Sequence, residues 1–289
     1  DLFVDAASWI AEASGIPKFI IGATVVSFAT TMPEMLVSVF AALQGNADIA
    51  VGNAVGSVTA NVGLIMCVAL ICMECAMTRK QFGVKACLLL AAILALFGFT
   101  RDGQLSVLES VLILVIFVGF LVESLIAARQ EQGSELPAQE ERPKIDKKTV
   151  LLNIGKLLRG AAGIVLGAQL LIDNGSALAR MLGVPDAVIA ATMIAIGTSL
   201  PELVTTLTAI KKKQASLSVG NIIGANIMDL TLIMPLCAVI QGKPMTVERQ
   251  GMLLDIPACL IICAAALIPA LVQGKFKRWI GYLIGGLYI

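Results

Sequence analysis

Long apolar runs separated by short polar segments follow one another along almost the whole chain. They cover residues 1–14, 17–42, 49–77, 84–100, 105–128, 149–181, 184–210, 216–240, 251–272 and 277–289. A helix that crosses the hydrocarbon core of a bilayer needs about 20 such residues, and several of the runs reach that length. The runs show almost no alternation of apolar and polar positions, which argues against a transmembrane β-barrel. The pattern predicts an all-α polytopic membrane protein.

The composition agrees with this fold class. Hydrophobic residues make up 58% of the 289 residues and charged residues 14%, whereas about a quarter of the residues in a soluble domain are charged. The first and last apolar runs are short, so we expect each to be part of a longer helix. The cysteines are interpreted as packing residues, because the chain has no histidine and the pair Cys72 and Cys75 lacks the second pair of a zinc site.

Lysine and arginine are distributed unevenly between alternate polar segments. All of them except Arg101, Arg180, Lys243 and Arg249 fall in one set of segments. Because loops rich in Lys and Arg remain in the cytoplasm, this set is predicted to be cytoplasmic, including the polar linker 130–148. The same rule places the start of the chain outside the cell. The linker has no room for a large regulatory domain, so we expect a multi-pass protein of a bacterial or archaeal inner (plasma) membrane.

The two halves of the chain are copies of one another. The offset that places Glu34 on Glu202 aligns residues 1–66 with 169–234 without a gap. The matched pairs include Pro17 with Pro185, Thr30 with Thr198, Pro33 with Pro201, Asn53 with Asn221 and Gly56 with Gly224. An odd number of predicted crossings separates the copies, so they run in opposite directions through the membrane. Inverted repeats are typical of secondary transporters, which bind their substrate near the midplane where the repeats meet.

Each copy carries a lone glutamate beside a proline, in the segments FATTMPE and IGTSLPE. Proline removes a helical N–H donor and clashes with the carbonyl four residues earlier, so Pro33 and Pro201 predict loosened backbone. Each segment therefore combines loosened carbonyls, two adjacent hydroxyls and one carboxylate. These are the hard oxygen ligands that Ca²⁺ and Na⁺ prefer. A helix kink alone would explain the proline and the hydroxyls, but not a carboxylate, whose burial in a membrane is costly.

The span after each glutamate supplies a second repeated group. GNAVGSVTAN carries Ser57 and Asn61, and GNIIGANIMD carries Asp229 four residues after Ala225. A spacing of four places each pair on one helical face. Glycines also recur at a spacing of four in both segments, which is typical of closely packed helices. The two repeated glutamates balance one Ca²⁺ or two Na⁺, and Asp229 is either a third ionised group or a protonated one.

The paired segments GATVVSFATTMPE with GNAVGSVTAN, and ATMIAIGTSLPE with GNIIGANIMD, resemble the repeats of the cation/calcium antiporter superfamily. The chain is most similar to its prokaryotic sodium/calcium exchangers. The resemblance implies ten helices in two inverted-topology repeats of five, the first and last helix truncated, with repeats at 1–129 and 149–289. It implies a calcium site formed by Glu34, Glu202 and the main-chain oxygens of Thr30 and Thr198. The residues implied for sodium sites are Thr31, Ser57, Ser199 and the carbonyls of Ser27 and Ala195, with Asn61 and Asp229 completing the cluster.

The resemblance further implies a secondary-active antiporter, not an enzyme, that exchanges Ca²⁺ for Na⁺ by alternating access. Its partners would be the transported ions and the lipid bilayer, with no nucleic acid, and a monomer is expected because the site is internal. Two residues depart from the family pattern: Ala29 replaces a glycine, and Ala225 replaces a serine that would bind sodium. Ca²⁺/H⁺ exchange therefore remains an alternative, and Asp229 also resembles the K⁺-dependent branch.

Two other classes of protein use similar groups. An intramembrane aspartyl protease needs a close pair of aspartates, whereas the repeated acids of this chain are glutamates beside prolines. A passive channel would use similar ligands, but inverted repeats with broken helices favour a transporter.

Overall fold

Helices account for nearly all of the described first half. The computed structural model describes residues 1–73, 75, 77–133, 146–183 and 197–289. The elements of the first half are α1 (Leu2–Ser14), α2 (Lys18–Ile21), α3 (Ser27–Thr30), α4 (Met32–Leu43), α5 (Ala47–Ala60), α6 (Cys67–Cys72), α7 (Arg79–Phe99), β1 (Gln104–Leu105) and α8 (Val107–Gly133). A π-helical turn at Gly22–Val26 joins α2 to α3, and another at Asn61–Met66 joins α5 to α6. A 3₁₀ turn at Thr100–Asp102 follows α7.

The second half is built in the same way. Its elements are α9 (Lys147–Met181), α10 (Leu200–Lys211), α11 (Ala215–Met228), α12 (Met234–Gln241), β2 (Met245–Thr246), α13 (Ile256–Gln273) and α14 (Arg278–Tyr288). π-helical turns at Asp229–Ile233 and Gly251–Asp255 lead into α12 and α13. Helices α8 and α9 extend a few residues into the predicted linker from either side, since α8 ends at Gly133 and α9 begins at Lys147.

Six helices of the described chain are long and apolar enough to cross a membrane, and one bent pair makes a seventh. The six are Ile49–Cys72, Arg79–Asp102, Val107–Gln130, Lys147–Gly167, Ala215–Gln241 and Gly251–Gln273. Each lies on a predicted apolar run, although the helix of the run 49–77 ends at Cys72. Part of the predicted run 184–210 lies outside the described residues.

The bent pair is broken beside the first glutamate motif. Lys18–Thr30 and Met32–Leu43 meet at an angle of 47°, and Thr31 between them has φ −80° and ψ −2°. Ser199, its equivalent in the second copy, has φ −83° and ψ 0° and precedes α10. Pro33 and Pro201 then lie in the first turn of α4 and α10. N–H groups in the first turn have no carbonyl partner within their own helix, so proline costs no helical hydrogen bond there. The two copies therefore interrupt the helix at the same residue and in the same conformation.

Backbone contact between helices positions the first broken helix. A Cβ added at Gly220 would lie 2.2 Å from the Phe19 carbonyl oxygen, and one at Gly224 would lie 2.2 Å from that of Ala23. α2 and the following π turn therefore lie directly on the glycine stripe of α11. This confirms the predicted close packing for the second-half glycines. The equivalent Gly52 and Gly56 have no such neighbour among the described residues.

Short contacts join connecting segments from the two halves. Strands β1 and β2 pair antiparallel, with Gln104 opposite Thr246, and Cys75 forms a single bridge with Phe276. The first contact joins two segments predicted to lie outside, and the second joins two segments predicted to be cytoplasmic. Segments assigned to the same side by charge therefore do meet in the structure.

One side assignment is contradicted. Lys212, at the predicted cytoplasmic end of α10, lies 3.6 Å from the Asp1 carboxylate and 2.6 Å from that of Asp5. Asp1 therefore lies at the end of the molecule that carries Lys212, and the prediction that the start of the chain is on the opposite side is wrong. The described part of α1 has 13 residues, about 20 Å of helix, so its two ends are closer together than the thickness of the hydrocarbon core, about 30 Å.

Candidate cation site

The two repeated glutamates occupy equivalent places in the fold. Glu34 lies in the first turn of α4 and Glu202 in the first turn of α10, directly after the two helix breaks. Each is only 1% exposed. The positive end of a helix dipole stabilises an anionic side chain in the first turn, which offsets part of the cost of burial. Sequence and fold thus agree that these carboxylates are buried at the breaks.

Most of the predicted ligand atoms are buried without a hydrogen-bond donor or acceptor among the described residues. They are both carboxylate oxygens of Glu34, Glu202 and Asp229, Oδ1 of Asn61, Oγ1 of Thr31 and Thr198, and Oγ of Ser199. Native structures pair nearly all buried polar atoms, so such a concentration of unpaired oxygens is typical of a ligand site. The Glu34 carboxylate lies close enough to Glu202 and Asp229 for their charges to interact.

Basic side chains do not compensate these acids. Among the described residues the one buried cation is Lys85, and it pairs with Glu123 and lies 5.7 Å from the centre of the Phe19 ring. The described chain also has no group of three acidic or cysteine side chains placed to share a single metal ion. The geometry therefore suits an ion held by two carboxylates and neutral oxygens rather than by three acids.

Amide side chains connect the halves around the acids. The Thr30 hydroxyl faces the Glu202 carboxylate but donates to Oδ1 of Asn221 at 3.1 Å. Nδ2 of Asn61 donates to Oδ1 of Asn226 at 3.0 Å. Each bond joins one half of the chain to the other.

Three asparagines at the site received no role from the sequence. Besides Asn221 and Asn226, Asn53 donates to the Ser38 hydroxyl at 3.0 Å and to the Glu34 carbonyl at 3.4 Å. The repeat offered a signal for two of them, because Asn53 and Asn221 align. Asn226 aligns with Val58, so no repeat signal pointed to it.

Some predicted ligands are not directed at the carboxylates in this conformation. The Ser27 carbonyl accepts a hydrogen bond from the Thr31 N–H at 2.9 Å, and the Thr30 hydroxyl, which donates to Asn221, lies 3.3 Å from the same oxygen. Thr31 borders a small cavity whose other lining residues are apolar. Ser57 is buried on α5 at 3% exposure, and Ala195 lies outside the described residues.

Comparison with known proteins identifies the family. The sodium/calcium exchanger protein family matches residues 1–126 and 152–289. The chain belongs to this family. The sodium/calcium exchanger MaX1 of Methanosarcina acetivorans is 29% identical over 325 residues, covering 100% of this chain and 92% of that protein. The inner membrane protein YrbG of Escherichia coli is 34% identical over 244 residues, covering 83% of this chain and 75% of YrbG.

Structural comparison places the fold in the same family. The sodium-calcium exchanger NCX_Mj, soaked with 2.5 mM Na⁺ and 10 mM Sr²⁺, matches with a TM-score of 0.84 at 27% identity, covering 100% of this chain and 90% of that one. This likeness confirms the predicted all-α polytopic fold with two inverted repeats. It also confirms the resemblance to prokaryotic members of the superfamily. The chain is accordingly a cation exchanger of this family and not an enzyme.

Proposed function

We propose that this exchanger transports Ca²⁺ in exchange for Na⁺ at a site centred on Glu34 and Glu202. The observation that carries the proposal is the burial of both carboxylates without a hydrogen-bonding or basic partner in the described chain. Two such charges from opposite halves repel one another unless a cation or protons neutralise them. One Ca²⁺ or two Na⁺ restores neutrality. Binding of one ion species therefore excludes the other, which is the requirement for antiport.

Neutral oxygens complete the proposed coordination. Ca²⁺ takes about six to eight oxygen ligands, and we assign to it the main-chain oxygens of Thr30 and Thr198 beside the two glutamates. The groups assigned to Na⁺ are Thr31, Ser57, Ser199 and the carbonyls of Ser27 and Ala195. Asn61 and Asp229 complete the middle of the whole cluster. The Ser27 carbonyl accepts a hydrogen bond from the Thr31 N–H, so it would bind Na⁺ through its second lone pair.

The cellular setting is part of the same proposal. The repeats at 1–129 and 149–289 act as one monomer in an inner (plasma) membrane, with the linker 130–148 in the cytoplasm. The uneven distribution of Lys and Arg supports this orientation, and the relative YrbG is named an inner membrane protein. Alternating access would move the broken helices relative to the rest of each repeat.

Exchange of Ca²⁺ for H⁺ is the second candidate. Ala225 is fully buried beside the site residues of α11 and supplies no hydroxyl where the family pattern has a sodium ligand. Asp229 provides a further buried carboxylate, which suits a proton carrier or, alternatively, a K⁺-dependent exchanger.

Uptake of radioactive calcium into proteoliposomes distinguishes these functions. Vesicles are loaded with Na⁺, with K⁺, or with K⁺ at an acid interior, and uptake is compared for wild type, Glu202→Gln and the control Glu12→Gln. Glu12 is an exposed residue paired with Lys18, so its substitution should leave transport unchanged.

The proposal expects uptake only with internal Na⁺, and none in Glu202→Gln. Uptake driven only by the acid interior would assign the chain to Ca²⁺/H⁺ exchange. Uptake into Na⁺-loaded vesicles that needs K⁺ outside, together with Ca²⁺, would assign the K⁺-dependent branch. Folded wild-type protein without gradient-driven uptake would overturn calcium exchange altogether.

A further inference from the structure

We propose that Asn226 is a positioning residue that orients the Asn61 side chain so that its carbonyl oxygen faces the transported cation. The inference rests on the proposed cation site. Nδ2 of Asn61 donates to Oδ1 of Asn226 at 3.0 Å, and the side chains are 1% and 0% exposed. This bond crosses from the first half of the chain to the second.

The direction of this bond decides which end of the Asn61 amide is available. A side-chain amide has a donor end and an acceptor end, and its terminal torsion has two broad, roughly equivalent wells. With Nδ2 held by Asn226, Oδ1 of Asn61 has no donor among the described residues. An oxygen binds Na⁺ or Ca²⁺, whereas an NH₂ group repels them. Asn226 thus selects the rotamer that binds a cation.

The asymmetry between the halves supports this role. The offset that aligns Glu34 with Glu202 aligns Asn61 with Asp229 and places Val58 opposite Asn226. A carboxylate presents an oxygen in either rotamer, so Asp229 needs no orienting partner. An amide does need one. The residue that bonds to the Asn61 amide is accordingly Asn226, whereas the aligned position in the other half is the apolar Val58.

A double-mutant cycle tests the inference in the full-length protein. Ca²⁺ affinity is measured by titration calorimetry for wild type, Asn61→Ala, Asn226→Ala and the double variant. Asn153→Ala is the control, because it removes another buried amide, whose hydrogen bond goes to the Thr149 carbonyl at 3.0 Å on α9. If Asn226→Ala does not fold, Asn226→Ser replaces it in the cycle.

We expect Asn226→Ala to weaken Ca²⁺ binding about fivefold, the effect of one lost hydrogen bond, with no further loss when Asn61 is already alanine. Equal weakening with and without Asn61 would overturn the inference, as would no weakening at all. Either result leaves the proposed function intact as long as wild type binds Ca²⁺ and Glu202→Gln does not. Wild type that binds no Ca²⁺ would overturn both.

Discussion

Asn61 and Asp229 are the first residues of two π-helical turns at equivalent positions in the two halves. π turns are rare and frequently mark functional sites. Both side chains are 1% exposed, so the halves share a backbone irregularity but only the second half has an ionisable group there. The roles of the two positions can therefore be distinguished by exchanging their residue types.

Asp229→Asn makes the two halves alike and removes one ionisable group. Because the two glutamates already balance one Ca²⁺, we expect Na⁺-driven uptake to persist within about threefold of wild type, the range of one altered hydrogen-bonding group. Asn61→Asp is the matched change in the other half, and it should abolish uptake because it adds an uncompensated buried charge. Uptake lost in Asp229→Asn but kept in Asn61→Asp would show that Asp229 carries an essential charge or proton.

Ala225→Ser adds a hydroxyl at the position where the family pattern has a sodium ligand. We expect this variant to need less Na⁺ for half-maximal Ca²⁺ uptake, with little change in the Ca²⁺ requirement. Ala209→Ser, at another fully buried alanine, is the control for adding a buried hydroxyl. A Na⁺ requirement that shifts equally in both variants would contradict a local ligand effect.

Gly224→Ala should destabilise the protein. Its Cβ would lie 2.2 Å from the Ala23 carbonyl oxygen and 2.6 Å from the Ala23 Cα, so α11 and the first broken helix would have to separate. Overpacking of this kind costs about 1–3 kcal/mol or more. Gly119→Ala on α8, where nothing lies within 4 Å of the added Cβ, should be neutral or stabilise the helix by up to about 1 kcal/mol. Thermal unfolding followed by size-exclusion chromatography compares the two, and equal melting temperatures would contradict the predicted contact.

The ion pair of Lys85 with Glu123 should contribute to stability and not to transport. Lys85 is fully buried and the Glu123 side chain is 18% exposed, so Lys85→Met leaves a partly buried carboxylate without its partner. Removing one member of a buried pair costs about 3–5 kcal/mol, whereas replacing both members is often close to neutral. We therefore expect a lower melting temperature for Lys85→Met and recovery in Lys85→Met with Glu123→Gln. Normal stability of the single variant would show that the pair is not a structural element.

The sequence predicted the features that depend on local pattern. Helical spans follow from apolar length, and the burial of Glu34 and Glu202 at helix breaks follows from the repeated proline motif. The π turns were not predicted, because the apolar pattern of the spans continues through them without a break. Contacts across the halves were also missed: the repeat aligns Asn53 with Asn221, but Asn221 bonds to Thr30 in the opposite half. Partners of this kind depend on how the two copies pack, which an internal alignment does not contain.

The start of α1 shows a different limit. The distribution of Lys and Arg assigned loops to sides, and the paired segments at Gln104 and Thr246 agree with that assignment. The rule does not account for the contacts of Asp1 and Asp5 with Lys212, because it uses the charges of loops and not the packing of α1 against α10.

The central claim is that Glu34 and Glu202, one from each half, hold a single ion between them. Titration calorimetry of purified protein with Ca²⁺, in wild type, Glu34→Gln and Glu202→Gln, tests it most directly. We predict one Ca²⁺ per chain in wild type, none in either variant, and competition of the wild-type signal by Na⁺. Binding retained in each single variant, at half the wild-type stoichiometry, would mean that each glutamate has its own ion and would contradict the shared site.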